Sequence, residues 1–173
     1  MKTPATFSAV RLIGALALAA AAQGGHAASP TTGSFQVNAT VISACTVSGA
    51  LLNFGSAIDP LATAVPLDAS STLTVTCTNT TPYAVALNAG VNAGGASAFA
   101  SRAIKHGSYS LAYQLYTDTG RSTVWGDGTS SSSTSAGTGT GSTQTLTIYG
   151  RIPSLSGSVP GTYTDTVTVT ISY

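Results

Sequence analysis

The sequence predicts an all-β protein, and three observations carry that expectation. Helix formers are scarce, with no glutamate anywhere and leucine sparse beyond the N-terminal region, while Thr, Ser, Gly, Val and Tyr dominate. Apolar and polar residues alternate with a period of two in several stretches. Gly, Pro, Asn or Asp clusters bound these stretches, the punctuation of a β-sandwich or barrel.

The expected strands follow in chain order. Phe35 to Val41 (FQVNATV) places Phe35, Val37, Ala39 and Val41 on one face. Thr72 to Cys77 (TLTVTC) and Tyr83 to Asn88 (YAVALN) alternate in the same way. Tyr109 to Tyr116 (YSLAYQLY) reads as a single strand with Tyr109, Leu111, Tyr113 and Leu115 as a core face. Thr145 to Tyr149 (TLTIY) and Tyr163 to Tyr173 complete the set. Two segments read as loops, Asn88 to Arg102 and Gly126 to Gln144. The second is a low-complexity Ser/Thr/Gly run, expected to be exposed because it lacks apolar residues to offset the entropy of ordering.

Lys2 and Arg11, the apolar run Leu12 to Ala22 and the small residues Gly25 and Ala27 mark residues 1–27 as a secretory signal peptide. Cleavage is expected before Ala28. The remaining 146 residues, 28–173, suit one domain with a single core. Their charges are Arg102, Lys105, Arg121 and Arg151 against five aspartates. No basic stripe exists to neutralise phosphates, so nucleic-acid binding is not expected. Cys45 and Cys77 are the only cysteines, and in an exported chain one pair reads as a disulfide. Closing that loop removes about 3.5 kcal/mol of unfolded-state entropy on the chain-entropy model.

The residues offer little to catalysis. His106 is the one histidine beyond the leader, and its neighbours Ser108 and Ser110 are close only along the chain, so it reads as a solvated loop residue. Asp118 and Asp127 sit at turn positions. The segment from Asp118 to Asp127 lacks the spacing of a calcium loop, and neither a metal nor another cofactor is expected. The sequons at Asn38 and Asn79 arise readily by chance in so threonine-rich a chain.

The two ends of the chain are more informative. Near the N-terminus stands the row Phe35, Val37, Ala39, Val41, and at the C-terminus the row Val167, Val169, Ile171, Tyr173. Neither carries the charge, proline or bulge with which proteins blunt exposed edges. Such an edge either aggregates or is paired by another chain, and strand addition is an established binding mode.

The stretches ACTVS (44–48), LNFGSAIDPL (52–61), LTVTCT (73–78), YQLYTDTGRSTVWGDGT (113–129), LTIYGRIP (146–153) and PGTYTDTVTVTISY (160–173) together resemble the spore coat protein U domain family, which includes pilin subunits of archaic chaperone-usher fimbriae. The resemblance spans essentially all of residues 28–173. It implies an incomplete immunoglobulin-like β-sandwich, completed by a donor strand from a chaperone or a neighbouring subunit. It also implies a periplasmic chaperone, an outer-membrane usher and other copies of the chain as partners, with contact to the membrane only through the usher. Carried over by position, Phe35, Val37, Ala39 and Val41 match the donor row within residues 28–41. Val167, Val169, Ile171 and Tyr173 match the terminal strand bordering the acceptor groove, and Cys45 and Cys77 match the disulfide.

Phe35 to Val41 also reads as the subunit's own first strand. The extension before it, ASPTTGS, is too short and polar to fill several pockets, which favours the donor assignment. The functional expectation is a non-enzymatic, exported subunit of surface fimbriae that support adhesion or biofilm formation. Two alternatives compete: a carbohydrate-binding or tip-adhesin module using Tyr109, Tyr113, Tyr116, Trp125 and Tyr149, and a small outer-membrane β-barrel.

Overall fold

The computed structural model describes Gly25, residues 28–49 and residues 51–173. Apart from Gly25, the leader assigned to residues 1–27 lies outside the described residues. The chain falls into two units, Met1–Ala39 and Thr40–Tyr173. In the first, residues 28–39 form no strand and are exposed.

The second unit is all-β, as the composition requires. Its strands are β1 (Cys45–Ser48), β2 (Leu67–Cys77), β3 (Pro82–Leu87), β4 (Ala103–His106), β5 (Tyr109–Ala112), β6 (Gln114–Tyr116), β7 (Ser135–Thr138), β8 (Thr143–Ile152) and β9 (Val169–Ser172). One sheet has the order β1-β2-β8-β6 and another the order β7-β3-β9, with β4-β5 as a separate hairpin. Every pairing is antiparallel. Among the described residues both larger sheets end in edges and do not close into a barrel.

Alternation builds the core between the sheets. Leu73, Val75 and Cys77 of β2 point inward while Thr72, Thr74 and Thr76 point out, and Val85 and Leu87 of β3 face Ile148 and Ile152 of β8 within one cluster. Gly150 leaves the room that Leu52 and Phe54 need to join it, since a Cβ there would come within 2.5 Å of Leu52.

Three strand expectations and one loop expectation are corrected. Tyr109 to Tyr116 is two strands, because at Tyr113 the chain leaves β4 and takes β8 as its partner: Tyr113 N–H still bonds to Arg102 O at 3.1 Å, whereas Gln114 pairs with Arg151. Its face is buried from Leu111 to Leu115, but Tyr109 is 49% exposed. The run Gly126 to Gln144 contains β7, which pairs with β3 because Gly137 lets the Tyr83 ring lie against its backbone. Phe35 to Val41 forms no strand, and regular strand in Tyr163 to Tyr173 is confined to β9. β1 and β4 were not anticipated. His106 correspondingly ends β4 and remains exposed, its ring 5.7 Å from that of Tyr163.

Candidate functional site: an open strand edge beside an apolar cleft

The last segment of the chain meets the sheet on one side only. Asn88 N–H bonds to Thr168 O at 3.0 Å and Val91 N–H to Thr166 O at 3.1 Å, and β9 pairs with β3 in register Leu87↔Val169 to Ala84↔Ser172. In an antiparallel ladder successive residues face opposite sides, so the backbone groups of Val167, Val169 and Ile171 point away from β3. Among the described residues no strand pairs with that side. The side chains of these three residues pack on the core, while Thr166, Thr168 and Thr170 are exposed.

Beside this edge lies a cleft of about 850 Å³. One wall is the segment from Ser158 to Asp165 with Val167, and the other is the loop from Leu51 to Ile58 with Pro60. Its floor is Ile104, Leu111, Tyr113, Leu115, Ile152 and Leu155. All but Ile104 are buried core residues, so the cleft reaches down to the hydrophobic core itself. The packing density of a protein interior leaves no place for such a void in a finished sandwich.

Polar contacts fix the start of the open edge. Tyr113 Oη donates to Asp165 Oδ2 at 2.7 Å, and Asn92 N–H to Oδ1 at 3.2 Å. Burial, reinforced by the bond to Asp165, pushes the Tyr113 phenol well above its ordinary pKa, so it remains a donor. Gly90 has φ +96°, and a Cβ there would collide with the Asp165 carboxylate. Thr164 and Lys105 exchange backbone bonds of 2.9 and 3.0 Å. Asn88 Oδ1 accepts from Thr168 N–H at 2.8 Å, holding the chain where it enters β9.

The anticipated site residues distribute unevenly over this geometry. Val167 lines the cleft; Val169 and Ile171 pack on the core farther along, and Tyr173 is 60% exposed. Phe35 and Val41 are each 87% exposed, and Val37 and Ala39 are exposed as well. Cys45 and Cys77 form a disulfide joining β1 to β2. The sequence reading missed the Leu52–Ile58 wall and the floor residues Ile104 and Leu155. The segment LNFGSAIDPL carries part of the family resemblance, but nothing in its sequence marks it as a wall of the groove.

Two of the five aromatic residues considered for a sugar platform are closed to a ligand. Trp125 is 1% exposed and donates Nε1–H to Val85 O at 2.9 Å, and Tyr113 is buried. Asp118 accepts from Ser122 and Thr123 N–H and Asp127 from Thr129 N–H, which are turn roles. Among the described residues no group of three His, Cys, Asp or Glu side chains could hold a metal ion.

A model of the Spore Coat Protein U domain matches residues 31–170. Protein U of Myxococcus xanthus is 31% identical over 158 residues, covering 84% of this chain and 87% of that protein. Among solved structures, a chain in the CsuC–CsuE chaperone–tip adhesion subunit pre-assembly complex, from the archaic chaperone-usher Csu pili of Acinetobacter baumannii, aligns with a TM-score of 0.55 and 26% identity. That alignment covers 78% of this chain but only 40% of the other. With the family model spanning most of its length, a relative of this identity and a sandwich open along its last strand, the chain belongs to the Spore Coat Protein U domain family.

Proposed function

We propose that this chain is an exported structural pilin subunit that polymerises by donor-strand exchange into surface fimbriae of the chaperone-usher type. The observation that carries the reading is the unpaired edge of β9 beside a cleft floored by core side chains. A strand laid along that edge would pair with the outward backbone groups of Val167, Val169 and Ile171 and insert alternate side chains between the sheets. A periplasmic chaperone would supply that strand first. At the outer-membrane usher, residues 28–41 of the next copy would replace it, with Phe35, Val37, Ala39 and Val41 filling the cleft.

Family membership supports this reading, as does the likeness to a chain from a chaperone–subunit complex. The exposed apolar row at Phe35 to Val41 leaves a segment of strand-like alternation without cover of its own. A subunit with one strand missing and one spare makes a head-to-tail contact that does not close, and therefore extends as a fibre. The activity needs no catalytic group or cofactor. The signal peptide assigned to residues 1–27 provides the route to the periplasm, and adhesion or biofilm formation would be the role of the finished fibre.

The test uses the chain from Ala28 onward, with and without a periplasmic chaperone. A variant lacking Ala28 to Thr40 should still bind the chaperone, and a synthetic peptide of residues 28–41 should cap it, yet it should not extend a fibre. Fibre growth that survives this deletion removes Phe35 to Val41 from the donor role. A full chain that remains a stable monomer and binds neither chaperone nor peptide overturns the reading.

A further inference from the structure

The apolar surface does not stop at the cleft. Pro60, Leu155 and Ser158 also line a second hollow of about 390 Å³, whose walls include Leu61 and Val65. Leu61 is 98% exposed, and Val65 is half exposed. Leu61 sits in a fixed turn: its N–H bonds to Asp59 Oδ1 at 2.9 Å, and the N–H groups of Ala62 and Thr63 bond to Asp59 O at 3.2 and 2.8 Å. Leu61 and Val65 thus extend the apolar lining of the cleft outward over Pro60, and a contiguous exposed apolar patch of this kind marks an interaction site.

We infer that this patch is a second contact between consecutive copies of the chain, made by the folded body of the donor; the inference rests on the donor-strand reading. The sheet to be completed is antiparallel at every pairing, and antiparallel addition is the more stable kind. A donor running antiparallel to β9 passes from the Tyr173 end towards the Tyr163 end, and so leaves the groove beside Pro60 and Leu61. Only Ile42, Ser43 and Ala44 separate Val41 from Cys45, where β1 begins. Fully extended, that link reaches about 14 Å. A body of this size has a radius of gyration of about 14 Å, so the link keeps the donor's body within about one such radius of the groove exit. The donor's body is thereby confined to the face where its strand emerges, and Leu61 and Val65 are the exposed apolar residues of that face. Ile42, 76% exposed, gives the link an apolar residue of its own to place on the patch.

The test separates the donor's strand from its body. Leu61→Ser is made in the full chain, and its fold is checked by near-UV circular dichroism. Two rates are then measured: dissociation of assembled polymer, and release of a peptide of residues 28–41 from the same groove. The expected result is polymer dissociation at least tenfold faster, the scale set by exposing one buried leucine, with peptide release unchanged. Unchanged polymer dissociation overturns the inference and leaves the donor-strand reading standing. So does an unchanged polymer that is held less well on an alkyl-coated surface, because the patch would then serve a different partner. Equal acceleration of both rates places Leu61 in the groove itself and overturns the second contact. Failure of the peptide to bind the unsubstituted chain removes the donor-strand reading, and this inference with it.

Discussion

The two flanks of the sandwich are built from the same kinds of residue and finish differently. At the β6 flank the backbone crosses from one sheet to the other: Val124 bridges to Tyr116, Trp125 N–H bonds to Leu115 O at 2.9 Å, and Gly126 O accepts from Leu87 N–H at 3.1 Å. Gly126 N–H then bonds to Ser133 O at 2.8 Å, tying in the approach to β7. Arg102 seals this corner. Its guanidinium is buried, donates to Gln114 Oε1, Asn88 O and Trp125 O, and lies 5.1 Å from the Phe99 ring centroid. Burial pushes its pKa down to about 10, which still leaves a cation at neutral pH. At the β9 flank there is no such crossing among the described residues, and core side chains floor an open cleft. Hydrophobic alternation by itself thus does not close a sandwich; closure needs backbone that spans the gap.

The largest expected effect tests the stitched flank. Trp125→Ala deletes a buried indole and the bond to Val85 O, and should cost about 3–5 kcal/mol in guanidine unfolding. The loss should be the same with and without a bound peptide of residues 28–41; a loss seen only in the peptide complex would mean that the flanks are not independent. Val167→Asp tests the open flank in the opposite sense. It should cost the peptide-free chain only about 1 kcal/mol, because Val167 is no more than partly buried there, while weakening peptide capture about a hundredfold, because in the complex a carboxylate would be enclosed without a partner. Titration calorimetry against the peptide measures this, and undiminished capture would dissociate the cleft from strand binding.

The smallest effect concerns pH. Bonds from Ser97 Oγ, then from Thr129, hold the Asp127 carboxyl down at about 2. A lowered folded-state pKa gives stability that is present above the unfolded value near 4 and is lost as pH falls through the folded value. Asp127→Asn should therefore be slightly less stable than the parent at pH 6, with the difference fading between pH ~4 and ~2. A difference that persists at pH 2 would show that these turn bonds do not depend on the charge.

The strands that a sequence reveals are those that lay an alternating apolar face on the core. β2, β3 and β8 each alternate over a buried face, and each was legible because core burial imposes the period of two. β7 was not, because its pairing depends on small residues that let Tyr83 approach, and SAGT carries no apolar row. The break at Tyr113 was equally silent: the side-chain parity runs on through it, and only the hydrogen-bond partner changes. Of the candidate site, the row at Val167 to Ile171 could be read, since it is an ordinary amphipathic strand. The opposite wall could not. Leu52, Phe54 and Ile58 reach the core from a loop, at spacings set by Gly150 and by the turn at Asp59.

The position of the disulfide has a mechanical consequence. Cys45 follows the proposed donor row by four residues and is bonded to Cys77 at the end of the eleven-residue β2. In a fibre under tension, force entering through the donor strand would reach Cys45, the first residue of β1, before the other three residues of that ladder. The covalent bridge would pass that load directly to β2 and on to β8, which it pairs with over ten residues in register. The short edge strand would then carry almost none of the pull, and a stretched fibre should yield at its joints before its subunits unravel.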